Sequence, residues 1–362
     1  MAEDIRVAVV GAGVVGLSTA WALTRHGLRP IVFDRFARGH REGASHGATR
    51  NFNNAYAEQH YLDLLARARE GWDALGVVEG EPLLRLHGLV THGGEGLEQI
   101  DRALRERGIA SELLDAPEAS ARWPGLRFEP VVLYSPDAGV ARADVALREL
   151  ERRVVAGGQV HWETPVTAVR DEGDAVSLTL ADGAPVGFDV VVVTVGAWSA
   201  ALLPGIPLPP LRVTEEGFAH FAPVRDDLAW PSFNHAAAGF PAYVYGMPTP
   251  GEGIKVGFHR VGAEVDPDRR PRRIAFPREL SEYAREWLPG VDPERAAWVS
   301  CTYTSTPDAA FVLDRVGRIV VGAGFSGHGF KFAPGVGATL ADLVLDPSVR
   351  AAAPFRLPSP RL

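Results

Sequence analysis

Residues 5–34 read IRVAVVGAGVVGLSTAWALTRHGLRPIVFD, and this stretch decides the fold. Ile5–Val10 is a short apolar run closed by glycine, the pattern of a parallel strand buried on both faces. GAGVVG follows, with Gly11, Gly13 and Gly16 in G-x-G-x-x-G spacing. Val14–Gly27 repeats apolar residues at helical intervals and ends in glycine. Ile31–Phe33 is a second strand, closed by Asp34. Each glycine has a task in a dinucleotide site. Gly11 makes the tight turn, Gly13 lets backbone approach a pyrophosphate, and Gly16 lets the helix settle on the strand, with the helix N-terminus facing the phosphates. Asp34 is placed to accept a hydrogen bond from a ribose hydroxyl. Strand, helix and terminal acid around the glycines make a dinucleotide fingerprint rather than a structural turn, but they do not separate FAD from NAD.

Working outward, the βα rhythm is not repeated after Asp34. GASHGATRNFNNAY (43–56) reads as a polar, glycine-punctuated loop. Helices are predicted over 57–75, 95–107 and 143–156, and one within 111–125 that ends at Trp123-Pro124-Gly125. Strands are predicted over 83–92, 159–162, 166–169 and 175–180, and FDVVVVTVGAWS (188–199) holds another fully buried strand. Residues 211–300 read as short strands and turns, with a helix near 278–288. A second G-x-G-x-x-G, at Gly322, Gly324 and Gly327, is not a second nucleotide domain, because no further strand with a terminal acid follows it. It reads instead as a strand, a loop and a short helix from about Gly335 whose N-terminus faces something anionic.

The expected architecture is α/β with an α+β second domain: a Rossmann-like dinucleotide-binding domain and a mixed-sheet substrate domain. The first is assembled from 1–82, 143–210 and 301–362, the second from 83–142 and 211–300. A length of 362 residues agrees with two domains. The formal net charge of -8 argues against a nucleic-acid-binding face. The densest basic run, Arg269, Arg270, Arg272 and Arg273, reads as a solvated loop. No stretch approaches the roughly 18 apolar residues of a membrane helix, and no signal-peptide layout precedes the first strand. With Cys301 the only cysteine, no internal disulfide can form, and a cytoplasmic location is the expectation. No metal-ligand set is read. Of 37 Lys plus Arg, only Lys255 and Lys331 are lysines, so in a chain that otherwise uses arginine these two call for an explanation.

Together the motifs resemble the monomeric sarcosine oxidase and N-methyltryptophan oxidase family of D-amino-acid-oxidase-like FAD amine oxidases. Besides the fingerprint, the likeness rests on GASHGATR (43–50), RWPG (122–125), VVVTVGAWS (191–199), GIKVGFH (253–259), CTYTSTPDAAF (301–311) and GFSGHGFKFAPGVG (324–337), and it covers nearly the whole chain. The resemblance implies FAD, joined through a thioether from Cys301 to its 8α-methyl carbon. It implies that Lys255 sits over the flavin and promotes reaction with O2, and that Lys331 binds the substrate carboxylate. His46, Thr49 and Arg50 match a loop on the flavin ring, with Arg50 against its face. Ser45, Val166, Gly196, Trp198, Gly327 and Gly329 are further cofactor positions. Tyr245, Met247, His259 and Tyr303 match the substrate pocket, and Glu58 an acid paired with a loop arginine.

One departure stands out. The family places an arginine three residues after the Thr-Arg pair to clamp the substrate carboxylate; this chain has Asn53. The resemblance implies a monomeric oxidase of secondary amines or N-alkyl amino acids: hydride passes from the carbon next to nitrogen to flavin N5, the imine is hydrolysed, and O2 becomes H2O2. Asn53 keeps open a cyclic imino acid of the proline or pipecolate kind, or an amine with no carboxylate, handled by an oxidase or a dehydrogenase. A flavoprotein modifying nucleic acid would want a basic groove, and a non-catalytic FAD scaffold would not require Lys255.

Overall fold

The computed structural model describes residues 5–358. A six-stranded sheet runs in the order Gln159–His161, Ile31–Phe33, Val7–Val10, Val190–Val193, Ile319–Ala323, Val312–Val316. The first five strands are parallel and the last is antiparallel. Strand alternation explains why the four central runs are apolar throughout, while the edge strands Gln159–His161 and Val312–Val316 carry polar residues. Val7, Val9, Val32, Val190, Val192 and Val320 face a layer of helices. Ala8, Val10, Phe33, Val191, Val193 and Val321 face the antiparallel meander Val166–Asp171, Val176–Leu180, Pro185–Phe188. Both faces are covered, so every position must be apolar.

The helix layer is Val14–Arg25, Gln59–Leu75, Ala143–Val155 and Ala333–Leu345. Helix Ala333–Leu345 lies very close to two of its neighbours. A Cβ on Gly337 would stand 2.5 Å from the backbone of Ser18, and one on Gly335 2.6 Å from Leu64 O. This helix starts at Ala333, behind a 3-10 turn Phe330–Phe332, and runs for 13 residues, so it is longer than the short helix expected from Gly335. The second glycine motif lies at the end of strand Ile319–Ala323 in the same sheet, not in a second nucleotide fold.

A nine-stranded mixed sheet forms the other half. Its centre is the antiparallel pair Arg212–Pro223 and Val291–Ser305, far longer than the short strands expected there. Gly253–Phe258, Val244–Thr249 and Ser232–His235 extend it, and Leu89–His92 pairs in parallel with Ser232–His235. Helix Pro277–Trp287 packs on one face through Leu280, Tyr283 and Ala284. The opposite face turns toward the first half, as Tyr245, Met247 and Lys255 show below.

Three local expectations are corrected. Thr49–Phe52, inside the supposed loop, is a strand paired with Gly139–Arg142. The 83–92 strand is two, Leu84–Arg85 and Leu89–His92, interrupted at Gly88, whose φ is +87°. The 111–125 helix begins only at Ala116, capped by Asp115, whose carboxylate accepts from Glu118 N; Glu112–Asp115 is a strand.

Candidate active site

One cavity of about 1190 Å³ runs from the end of the first βαβ unit to the loop before helix Ala333–Leu345. At its first end lies the glycine turn. Gly11 has φ +99°, and a Cβ there would stand 2.6 Å from Thr194 O. A Cβ on Gly16 would overlap the carbonyl of Gly11, so Gly16 serves helix packing and does not line the cavity. Gly13 does line it, at the start of a helix without a cap from its own N-cap residue. Ser45 supplies the cap from elsewhere: its Oγ accepts from Val14 N at 3.1 Å. Asp34 holds the turn, Oδ2 accepting from Ala12 N at 2.7 Å and Oδ1 from Phe36 N at 2.9 Å. A carboxylate keeps further lone pairs for a hydroxyl. Val166, Gly196 and Trp198 line the same end. A tight glycine turn that brings bare backbone to the cavity, a helix N-terminus and a carboxylate at the strand end together fit the pyrophosphate and ribose of FAD.

The middle is built by the loop 43–50. Arg50 is held by three carbonyls: NH1 donates to Thr49 O at 2.9 Å, and NH2 to Ala44 O at 2.9 Å and to His46 O. His46 Nδ1 donates to Gly43 O at 2.8 Å, which leaves Nε2 unprotonated; burial pushes this imidazole down to about 4. Thr49 is behind the lining rather than in it. Its Oγ1 is 2.7 Å from Thr249 Oγ1, which ties the strand Thr49–Phe52 to Val244–Thr249 of the other sheet.

Lys255 enters from the nine-stranded sheet, between Met247 and His220 on the neighbouring strands. It is 4% exposed, its Nζ is 3.4 Å from Thr49 O and 3.9 Å from the centroid of Phe218. Burial, then the nearby Arg50 charge, hold its ammonium well below the usual lysine range. Lys331, also 4% exposed, comes from the 3-10 turn of the other half. Its Nζ donates to His328 O at 3.2 Å and lies 5.2 Å from the Tyr56 ring centre. Burial pushes it down to about 7. Among the described residues, none of Arg50, Lys255 and Lys331 has a carboxylate within ion-pair distance. Arg50, a permanent cation, and two buried lysines thus face one cavity without counter-ions, and protonating either lysine there is costly unless an anion completes the site.

Tyr245, Met247, His259, Tyr303, Gly327 and Gly329 line this end too. The His259 and Tyr303 rings are 5.5 Å apart, and burial lowers His259 to about 4. A Cβ on Gly327 would strike the Tyr303 ring, so the second glycine motif makes room for this phenol. Cys301 is buried and lines the cavity, with only the carbonyls of Ala44 and Thr302 near its Sγ, at 3.9 and 3.7 Å. Asn53 turns back on its own loop, Oδ1 accepting from Ala55 N at 2.7 Å. Glu58 is exposed at the rim and has no ion pair among the described residues.

Several residues were not singled out from sequence. Glu216 stands opposite Cys301 in the strand register, 2% exposed, its carboxylate accepting from Thr214 Oγ1 and from Val261 and Gly262 N. Asn51, Asn234, Tyr56 and His328 also line the cavity. The basic run is corrected as well: Arg270 is not solvated. Its side chain is 2% exposed and pairs with Glu215, equally buried, at 3.0 Å. Arg272 pairs with Glu42, and Asp268 accepts from Trp198 Nε1 and pairs with Arg35. Residues 261–272 are therefore fastened at several points to distant segments, and Asp268 reaches the cavity lining. No local signal could have shown this, since each partner is distant in sequence.

The family described as FAD dependent oxidoreductase (DAO) matches residues 6–343. Monomeric sarcosine oxidase of Bacillus sp. (strain B-0618) is 30% identical over 370 residues, covering 95% of this chain and 93% of that one. N-methyl-L-tryptophan oxidase of Yersinia pestis (strain Pestoides F) is 29% identical, covering 93% and 94%. Among solved structures, the open form of NikD, an amino acid oxidase of nikkomycin biosynthesis, superposes with a TM-score of 0.86 at 24% identity over 99% of both chains. Glycine oxidase from Geobacillus kaustophilus gives 0.79 at 21% identity, over 98% of both. These two likenesses concern the fold. Among the described residues, no helix is long and apolar enough to cross a membrane.

Proposed function

This chain belongs to the FAD dependent oxidoreductase family (DAO), and from that premise we propose that it is an oxidase of secondary amines, foremost N-alkyl amino acids. In this reading segments 1–82, 143–210 and 301–362 carry FAD, and 83–142 and 211–300 cover it. The observation that supports it most is the convergence of Arg50, Lys255 and Lys331, without counter-ions, on one cavity.

Bound FAD would supply a two-electron acceptor for the hydride on the carbon next to nitrogen and pass the electrons to O2, giving H2O2. Gly13 and the helix start would hold the pyrophosphate and Asp34 the ribose, and Cys301 is the thiol that would carry a thioether to the coenzyme. Arg50, pinned by three carbonyls, presents a fixed positive face to the ring. Lys331 takes the substrate carboxylate. Lys255, on the other sheet, supports negative charge as it develops on oxygen. Arg50, and each lysine in its protonated state, would also select the protonation state of the substrate: in a water-poor site a cation repels an ammonium and favours the free amine, whose lone pair is needed to expel hydride. His259 and His46 stay neutral at physiological pH and add no further charge. Tyr245, Tyr303 and Met247 wall the site from water. With sarcosine the products are glycine and formaldehyde. A monomer acting on small molecules completes the proposal.

Asn53 supports a second reading, a cyclic or carboxylate-free amine, because its side chain is committed to Ala55 N and adds no charge. The test is anaerobic bleaching of the bound flavin by sarcosine, N-methyl aromatic amino acids, proline, pipecolate and matched amines without a carboxylate. Rapid bleaching by carboxylate-bearing secondary amines supports the first reading; bleaching only by the others replaces it with the second. Lys255→Met should slow reoxidation by O2 far more than reduction, and an unchanged oxygen rate would remove that role.

A further inference from the structure

The substrate end of the cavity has a wall that the reaction as proposed does not use. Thr49 and Thr249, joined at 2.7 Å, tie strand Thr49–Phe52 to strand Val244–Thr249. Continuing along each chain, Asn51 and Asn53 reach the cavity on one side, and Tyr245 and Met247 on the other. Asn234 is the cross-strand partner of Tyr245 and also lines the cavity. Directly opposed residues of an antiparallel pair share a face, so Asn234 and Tyr245 look into the same space.

Asn234 is 1% exposed. Its Nδ2 donates to the hydroxyl of Thr91, its neighbour on the other flanking strand, at 3.3 Å. That contact fixes one end of the carboxamide, and Oδ1 is left buried with no partner. Asn51 Oδ1 is in the same condition. Asn53 differs, since its Oδ1 is satisfied by Ala55 N. Burying a carboxamide oxygen without a donor is costly, and a hydrophobic residue of similar volume would fill either position without that cost. Two such oxygens on residues that line one cavity mark a space waiting for donors. A free secondary amine keeps a single N–H and the carboxylate is only an acceptor, so a simple N-methyl amino acid can satisfy at most one of these two oxygens.

We propose that Asn234, backed by Asn51, is a specificity-determining residue that accepts a hydrogen bond from the substrate's side chain, so that the amine oxidised here carries a hydroxyl or amide N–H donor beyond its α-carbon. The proposal rests on the amine-oxidase reading and names the substrate class within it. Thr91 is the positioning residue, orienting the carboxamide with its oxygen toward the cavity.

The experiment compares isosteric pairs on the flavin-loaded enzyme: N-methylthreonine against N-methylvaline, and N-methylasparagine against N-methylleucine. The wild type should favour the donor-bearing member by about tenfold or more in kcat/KM, since a site built to hydrogen-bond its substrate rejects the analogue that lacks the group. Asn234→Leu should bring that ratio to about one or invert it. Thr91→Val, a near-isosteric change, should lower the ratio in part and through KM rather than kcat, which a merely structural role would not do. A binding readout runs beside it: perturbation of the flavin spectrum by 3-hydroxybutyrate and by its isostere 3-methylbutyrate, with the hydroxy acid tighter in the wild type only. A wild-type ratio near one, or a preference that survives in Asn234→Leu, overturns the inference. If no amine reduces the flavin, the amine-oxidase reading falls, and the inference about substrate class falls with it. If simple amines reduce it without donor preference, the inference falls alone.

Discussion

Lys331 offers a test in which stability and binding move in opposite directions. Its ammonium is buried without a carboxylate, and burial lowers it from 10.5 to about 7. The sign follows from linkage: between about pH 7 and 10.5 the unfolded chain holds a proton that the folded chain has lost, so stability rises with pH across this window. Below it both states are charged, and the folded state carries the whole penalty. A shift from 10.5 to about 7 corresponds to about 4–5 kcal/mol. In the protein free of carboxylate ligand, Lys331→Met should therefore be more stable than wild type by about 4 kcal/mol near pH 6, falling to about 2 kcal/mol near pH 9. The same variant should lose affinity for carboxylate-bearing ligands. The assay is denaturant unfolding at the two pH values, with ligand titration followed by flavin absorbance. Ligand binding by wild type near pH 8 should also take up a proton, measurable by calorimetry in buffers of different ionisation enthalpy. A variant whose stability gain does not shrink with rising pH, or that binds carboxylates as wild type does, would refute the reasoning.

Three other outcomes follow. Asn53→Arg, which adds a charge at the rim beside Glu58, should raise kcat/KM for carboxylate-bearing over carboxylate-free amines by about tenfold; an unchanged ratio excludes Asn53 as the source of selectivity. Cys301→Ala should release its flavin on acid precipitation, and flavin that stays on the denatured chain would assign the link elsewhere. Arg270→Met leaves Glu215 buried and unpaired, with a loss of about 3–5 kcal/mol in unfolding free energy, which Glu215→Gln in the same chain should partly restore.

What could be read from the sequence was whatever is local. The βαβ unit was legible because glycines, apolar alternation and a terminal acid within some thirty residues all state one geometry. The two lysines were legible by contrast with an arginine-rich background. Thr49–Phe52 was not, because a polar TRNF looks like a loop until Gly139–Arg142 pairs with it. The long strands Arg212–Pro223 and Val291–Ser305 were read as short because Glu215, Glu216 and Glu294 interrupt the apolar pattern. Two of those glutamates are in fact buried, satisfied by Arg270 and by the backbone of 261–262. Asn234 carried no signal at all: its meaning depends on Tyr245 and Thr91 standing beside it, and strand register is not written in any one segment.

The cation trio has a consequence for how the protein comes into being. Arg50, Lys255 and Lys331 sit in three separate parts of the chain, and the helix that follows Lys331 must lodge between helices Val14–Arg25 and Gln59–Leu75, far earlier in the sequence. In the proposed reading coenzyme is gripped at both ends only once helix Ala333–Leu345 has lodged between its two neighbours, so coenzyme binding and the seating of this helix are coupled, and coenzyme stabilises the seated helix by mass action.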